Sequence, residues 1–420
     1  MRILLLTQWF PPEPQKLLLE LATTLRDLGH EVTVLTGLPN YPTGKLYPGY
    51  RCKLWQQEVI DGIKVIRVPL FPDHSRNALR RATNFISFAL AAAILGPALS
   101  PRVDIIHVIH PPLTIGFAAW TISRWHRVPF TYEIQDMWPE TLVATGMVRQ
   151  AWILKLIGWF ALWVYSRATC IRVISPGFRR NLLSKGVSPS KVHVISNWVD
   201  TDFYRPVPSD RRVMERLGFT CKFVVLYAGT IGPAQGLDCI VEAAGQLCDL
   251  PDVFFAVFGE GIDRELLATK ASARGLNNIR FYGFWPPDQM PGIYALADVL
   301  LIHLRDNPLF QITIPHKTFV YMAVGKPVLA AVSGDVADVI TTAKAGITCA
   351  PDRPEALAES VRKLRAMSHE ELTQMGLNGR SAAETSFGRK QLVASVASML
   401  QHGSGRLPDR NMAKGPAVII

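Results

Sequence analysis

The chain carries little with which to build a metal knuckle or a disulfide framework. Its six cysteines, at positions 52, 170, 221, 239, 248 and 349, are scattered, and no two are spaced as C-x-x-C. That excludes a zinc knuckle and fits a reducing compartment. Neither G-x-G-x-x-G nor G-x-x-x-x-G-K-[ST] is present, so the dinucleotide and P-loop fingerprints are missing. No apolar run reaches the about 20 residues that a bilayer span needs. The nearest, 84–99 and 151–165, fall short, and Lys155 interrupts the second. The opening "MRILLLTQWFPPEP" is too short for a signal-peptide core and lacks a cleavage site. No recognition helix or RNP-like aromatic strand accompanies the basic residues, so nucleic acid is not an expected partner.

What is present is a chain long enough for two or three domains. Lys plus Arg number 45 against 34 Asp plus Glu, a net charge of +11. Such an excess suits phosphorylated substrates or an anionic membrane face. Apolar, β-branched runs alternate with helical patterns: "RILLLTQ", "EVTVLT", "IKVIRV", "DIIHVI", "PFTYEI", "CIRVIS" and "VHVIS" in the first half. They are too uniformly apolar for a one-sided sheet and predict strands covered on both faces. The pattern restarts at "KFVVLYAG" and continues through "VFFAVFG", "IRFYG", "DVLLI" and "KPVLAAV". Two successive βα blocks predict an α/β protein with two doubly wound, Rossmann-like parallel-sheet domains. We place the domains at 1–205 and 206–385, followed by a helix at 386–402 and a loose tail at 403–420. Ligands of such sheets sit beyond the C-terminal strand ends, which directs attention to the loops there and to the cleft between the domains.

The stretch "TIPHKTFVYMAVGKPVLA" frames a short apolar helix between Pro315 and Gly325, with His316 and Lys317 at its head. A helix start offers free N–H groups, and Lys317 adds a full charge, so an anion site is the functional reading. A capped core helix with a surface lysine is the structural one. "LYAGTIGPAQGLD" places Gly229, Gly232 and Gly236 after a strand, where backbone approaches a ligand closely. "HVIHPPLTIG" puts His110 at a strand end; no third ligand supports a metal there. "YEIQDMWPETL" sets Asp136 and Glu140 after the next strand, as acid/base groups or as helix caps. "VDTDF" mimics a metal-gripping DxD but lies in the linker and reads as turn chemistry. Arg76, Arg80 and Arg81 precede the apolar run to Leu99, and three tryptophans lie within 152–163. A basic-then-apolar helix suits a membrane interface, and core packing is the alternative.

The ordered set "QWFPPEPQ", "PPLTIG", "QDMWPETLVATG", "SPGFRRNLLSKGV", "VISNWVDTDFYRP", "LYAGTIGPAQGLD", "FGEG", "PHKTFVYMAVGKPVLA" and "SGDVADVI" resembles the family 4 glycosyltransferases of bacterial surface-polysaccharide pathways, nearly the whole chain to about Arg365. The resemblance implies a GT-B fold, with the 386–402 helix crossing back to the first domain, and transfer of a sugar, with retention, from a nucleotide diphosphate sugar. It implies no metal or other cofactor. The acceptor would be a saccharide on a polyprenyl diphosphate, with the enzyme peripheral to the inner face of the cell membrane. By the same resemblance Lys317 meets the donor diphosphate, with His316 beside it. Gly229, Thr230, Gln235 and Gly236 form the loop below the diphosphate. Gly283, Phe284 and Trp285 lie beside the base, and Asp335 takes the place of a ribose-binding glutamate. Asp136 matches the acid of a "DLWPE" motif, and His110 lies near the reacting sugar.

Departures from the family pattern run in one direction. Ile312 and Val320 replace a glutamate pair, Thr230 and Gln235 replace an arginine and a lysine, and "PHK" replaces "PSK". Fewer charges surround the donor, so the expectation rests on Lys317, on helix ends and on His316 when protonated. Two further readings stay open: a nucleotide-sugar 2-epimerase of the same fold, and a non-catalytic membrane-associated relic.

Overall fold

A computed structural model describes residues 1–75 and 77–405. Arg76 and positions 406–420 of the expected tail lie outside the described residues. The described chain forms two compact units: Met1–Ser196 together with the described residues from Lys390 on, and Asn197–Arg389. The handover at Ser196–Asn197 falls earlier than the position 205 taken from composition.

The first unit holds an eight-stranded sheet: β1 (Arg2–Leu6), β2 (Glu31–Gly37), β3 (Gln56–Ile60), β4 (Ile63–Val68), β5 (Ile105–His110), β6 (Phe130–Ile134), β7 (Ile171–Val173) and β8 (Val192–Val194). Its order is β3-β4-β2-β1-β5-β6-β7-β8, parallel except for β3, which pairs antiparallel with β4. The second unit holds six: β9 (Phe223–Ala228), β10 (Val253–Phe258), β11 (Ile279–Gly283), β12 (Val299–His303), β13 (Val328–Ala331) and β14 (Gly346–Cys349). Their order, β11-β10-β9-β12-β13-β14, is that of a doubly wound sheet. Strand order reverses at β1/β5 in one unit and at β9/β12 in the other. Helices cover both faces, so Ile3–Leu6, Val253–Phe258 and Val299–Ile302 are buried along their whole length. Each such side chain stabilises the fold by about 1.5–3 kcal/mol.

β3 and β14 add to the strands read from sequence. Both are sheet edges whose alternate or partial burial weakens the apolar signal. The helix Arg389–Gly403 buries Leu392, Val393, Val396 and Leu400. A Cβ on its last residue, Gly403, would lie 2.9 Å from Thr131 on β6, which seats this helix in the first unit.

The Ala78–Leu99 helix spans 22 residues and is long and apolar enough to cross a membrane by length and composition alone. That corrects the expectation that no segment reaches such a length. The uncharged run was counted from position 84, whereas Asn77 starts the helix earlier by accepting from Leu79 N and Arg80 N. Its inner face packs on the sheet through Phe88, Ala92 and Gly96. Asn84 anchors it, accepting from Gln8 Nε2 at 2.6 Å and donating to the Phe71 carbonyl at 2.6 Å. Its outer face is apolar too: Ile86, Leu90 and Ile94 are exposed, the last at 72%. The Ile115–His126 helix packs beside it, and the Ala151–Arg167 helix beside that, joined by Trp120 and Trp163 with ring centroids 5.6 Å apart. Trp152 and Trp159 of the last helix are 69% and 66% exposed. Of the basic cluster, Arg80 pairs with Asp73 at 3.0 Å.

Candidate active site

In the second unit, the switch point brings the loops after β9 and β12 together. On the β10 side the β9 loop is stitched to its neighbours through backbone bonds. Gly229 N donates to Phe258 O at 3.0 Å, Ile231 N to Glu260 O at 2.9 Å, and Gly259 N to Gly283 O at 2.7 Å. The approach is so close that a Cβ on Gly259 would fall 1.9 Å from the Gly229 oxygen. Glycine is therefore required in "FGEG" by packing, not only by turn geometry. From the other side, Arg305 N donates to Ala234 O at 3.0 Å, and its guanidinium pairs with Asp238 and Asp352. His303 Nδ1 donates to the Gln235 carbonyl at 2.6 Å. Gly229, Thr230, Gln235 and Gly236 thus form one braced loop, with Gly229 and Thr230 exposed at its rim.

Lys317 stands over this loop. Tyr321, one helical turn on, donates its hydroxyl to Ala228 O at 3.1 Å and accepts from Ala228 N at 2.9 Å. Residues four apart share a helix face, so that bond aims Lys317 at the end of β9. Its Nζ lies 3.8 Å from the Tyr227 ring centroid. A Cβ on Gly229 would come within 2.6 Å of it. No carboxylate pairs with this ammonium among the described residues, and burial pushes its pKa down to about 7. The residue as a whole keeps some solvent exposure, so the depression belongs to the amine packed on Tyr227 and Gly229. The helix runs Lys317–Ala323 with His316 as N-cap. It begins two residues after Pro315, which corrects the expectation of a proline start. Two turns carry little dipole, so positive charge here comes from the lysine. The His316 ring donates from Nε2 to the Trp198 carbonyl at 3.0 Å.

The base-side residues gather at the ends of β10 and β11. Glu260 accepts from Phe284 N at 3.1 Å. Phe284 is exposed, while Trp285 packs edge-on against Phe258 with its indole nitrogen buried and unpartnered. Asp335 is buried in the first turn of the Asp335–Thr342 helix, and Val320 is buried in core. Asp200 of the DxD mimic accepts from Asp202 N and Phe203 N, which is turn chemistry.

In the first unit, His110 ends β5 and Asp136 follows β6. His110 is fully buried, both ring nitrogens lack a partner, and burial lowers its pKa to about 3. It is a neutral imidazole, set edge-on to Trp138 at 5.5 Å. Burial raises the pKa of Asp136. Sequence reasoning did not single out the fully buried cluster below them. Glu133 on β6 accepts from Arg172 Nη1 at 2.6 Å, His107 Nε2 at 3.0 Å and Gln135 Nε2 at 2.5 Å. Burial alone would raise its pKa, but the Arg172 charge and these hydrogen bonds hold it at about 2. The available signal was a lone Glu and a lone Arg, each inside an apolar strand.

A doubly wound unit whose strand-end loop is braced beneath an unpaired lysine, joined to a second unit of the same architecture, defines a GT-B type of protein. Residues 14–198 match the family described as Glycosyl transferase 4-like domain, and residues 211–382 match Glycosyl transferases group 1. The chain belongs to these glycosyltransferases. WcaI of Escherichia coli (strain K12), named for colanic acid biosynthesis, is 26% identical over 317 residues, 73% of this chain and 76% of that protein. The glycosyltransferase WbjE of Pseudomonas aeruginosa is 26% identical over 60% of this chain, which spans 63% of that relative's length. Among solved structures, Anabaena Alr3699/HepE in complex with UDP-glucose aligns over 96% of this chain and 100% of its own, with TM-score 0.69 and 19% identity. WaaG, a glycosyltransferase involved in lipopolysaccharide biosynthesis, aligns over 95% of this chain and 99% of its own, with TM-score 0.65 and 18% identity.

Proposed function

We propose that the protein transfers a sugar from a nucleotide diphosphate sugar, with retention, to a saccharide carried on polyprenyl diphosphate during surface-polysaccharide synthesis. The observation that carries this reading is the Lys317 amine, held over Tyr227 and against Gly229 with no carboxylate beside it. A diphosphate is the anion that such a loop and lysine suit. Relatives named for colanic acid and lipopolysaccharide biosynthesis, and a neighbour holding UDP-glucose, support it. As the bond from the anomeric carbon to the donor phosphate breaks, negative charge grows on the departing diphosphate. Lys317, held in place over the braced loop, stabilises that charge without reorganising. The acceptor hydroxyl forms the new bond on the same face, and its proton passes to the departing phosphate oxygen. On this reading Trp285 and Phe284 flank the base, Asp335 takes the ribose, and His110 and Asp136 hold the reacting sugar and acceptor by hydrogen bonds. Turnover needs no metal and should persist in chelator.

The same reading places the protein at the inner membrane face. The Ala78–Leu99 and Ala151–Arg167 helices expose Ile86, Leu90, Ile94, Trp152 and Trp159, and the net charge of +11 attracts anionic lipid.

The test is a screen of UDP- and GDP-sugars for thermal stabilisation of wild type and Lys317→Ala. A donor present at about 100 times its Kd adds about 2.7 kcal/mol of apparent stability. At least one should raise the wild-type Tm and raise that of the variant by at most about half as much. Equal stabilisation of both, or none at millimolar concentration, would remove the assignment. Isomerisation of the donor alone would instead identify an epimerase.

A further inference from the structure

Glu133 sits at the middle of a largely buried relay that runs across three strands. On one side Gln135 Nε2 donates to its carboxylate at 2.5 Å, and the Gln135 backbone N donates to the His110 carbonyl at 3.3 Å. Gln135 is the residue before Asp136. On the other side the carboxylate accepts from Arg172 on β7, which stands opposite it in the parallel register. Arg172 also donates to two successive carbonyls, from Nε to Ile195 O at 3.0 Å and from Nη2 to Ser196 O at 2.8 Å. Those are the last two residues before the chain first passes from the first unit into the second. His107 Nε2 fixes the same carboxylate oxygen from β5 at 3.0 Å, and its Nδ1 lies 2.9 Å from Thr131 Oγ1. All four side chains of this ladder, His107, Thr131, Glu133 and Arg172, are 0–1% exposed.

A buried ion pair is a poor device for stability, because desolvating two charges offsets most of their attraction; apolar residues of similar volume often serve as well. What charges add is direction: a guanidinium has fixed donors and a carboxylate fixed acceptors. Here that direction joins the turn carrying Asp136 to the segment by which the chain leaves the unit.

We infer that Glu133 and Arg172 are positioning residues, which set the Gln135–Asp136 turn in register with the Ile195–Ser196 exit segment. The role rests on the reading that the first unit's strand ends hold the acceptor and reacting sugar. Neither side chain touches substrate. They act by fixing two backbone segments at once.

The test uses the full-length chain with the charge-neutral pair Glu133→Gln and Arg172→Met, which leaves no buried charge unpaired. Tm, hydrogen–deuterium exchange in peptides covering 134–140 and 194–198, and release of nucleotide diphosphate from a panel of UDP- and GDP-sugars are measured together. The expected result is a Tm within a few degrees of wild type and faster exchange in both segments. Nucleotide release should slow about tenfold or more at unchanged donor affinity, since the donor loop lies in the other unit. Wild-type exchange in both segments, or a change in only one, overturns the inference. So does an unchanged release rate. If wild type turns over no sugar in the panel, the functional reading fails, while the exchange result still decides whether the segments are coupled. Should the double variant fail to fold, Gln135→Ala, at a half-buried position, replaces it. Loosened 134–140 exchange with slowed release then supports the inference, and wild-type behaviour in both refutes it.

Discussion

The Lys317 amine gives donor binding a pH dependence whose sign and size follow from its surroundings. In the free protein its pKa is near 7 instead of 10.5, because burial disfavours the charged form. A diphosphate beside it favours the ammonium and raises the pKa again, so binding takes up a proton between the two values. Below about pH 6 the free protein is already charged and affinity is flat with respect to this group. Above 7, each pH unit leaves about tenfold less of the competent form, and Kd rises about tenfold per unit until the bound-state pKa is reached. From pH 7, where half the amine is charged, to pH 9 that is roughly a fiftyfold loss, or about 2.3 kcal/mol. The assay is calorimetric titration with an intact nucleotide sugar, which has no phosphate proton to lose in this range. Two buffers of different ionisation enthalpy at pH 7 and 8 should report uptake of about half a proton and then nearly one. Lys317→Arg keeps its charge throughout, so its affinity should be flat with pH. Lys317→Met should be flat and weaker by about 10–100-fold at neutral pH, the worth of a charge-assisted hydrogen bond. Wild-type affinity unchanged between pH 7 and 9 without proton uptake would refute the reasoning. So would a Lys317→Met variant that binds as tightly as wild type.

Gly229→Ala forces a Cβ to within 2.6 Å of the Lys317 nitrogen at a φ of 140°; calorimetry should show donor affinity down tenfold or more. Tyr321→Phe removes both hydroxyl bonds to Ala228; urea unfolding should show a loss of about 1–3 kcal/mol, with weakened donor binding besides. His110 is held neutral, so the unfolded state gains a proton first as pH falls. Stability should drop by roughly 4 kcal/mol as pH falls from about 6.5 to about 3, and His110→Leu should lack that part of the acid loss in denaturant titrations at stepped pH. Replacing Leu90, Ile94 and Trp159 by Asp should abolish co-sedimentation with vesicles rich in anionic lipid while leaving Tm within a few degrees; unchanged sedimentation would remove the membrane assignment.

Much of the architecture was readable because parallel strands buried on both faces spell out apolar runs. β3 escaped because its residues alternate in exposure at the sheet edge, although Asp61-Gly62 between it and β4 is a hairpin-turn signal. β14 escaped because Gly346–Cys349 is short and only partly buried. The second unit's site was readable at Lys317 and in the glycine loop, where charge and missing side chains mark the sequence. Its supports were not. Tyr227 and Tyr321 are 94 positions apart, and nothing local says that one lies under the lysine and the other aims it. Glu133 and Arg172 were visible only as isolated charges in apolar strands, a pattern that predicts a buried pair without naming the partner. The start of the Ala78–Leu99 helix depended on the Asn77 cap, which apolar counting does not see.

An amine that is largely uncharged at pH 8 is also a nucleophile. Pyridoxal 5′-phosphate brings an aldehyde and a phosphate in one molecule, so it should form an imine at Lys317 before any other position, and borohydride would make that mark permanent. Peptide mapping would then find a single tagged lysine, shielded when nucleotide sugar is added first. The pocket that receives the leaving group would thereby double as a place to attach a covalent inhibitor.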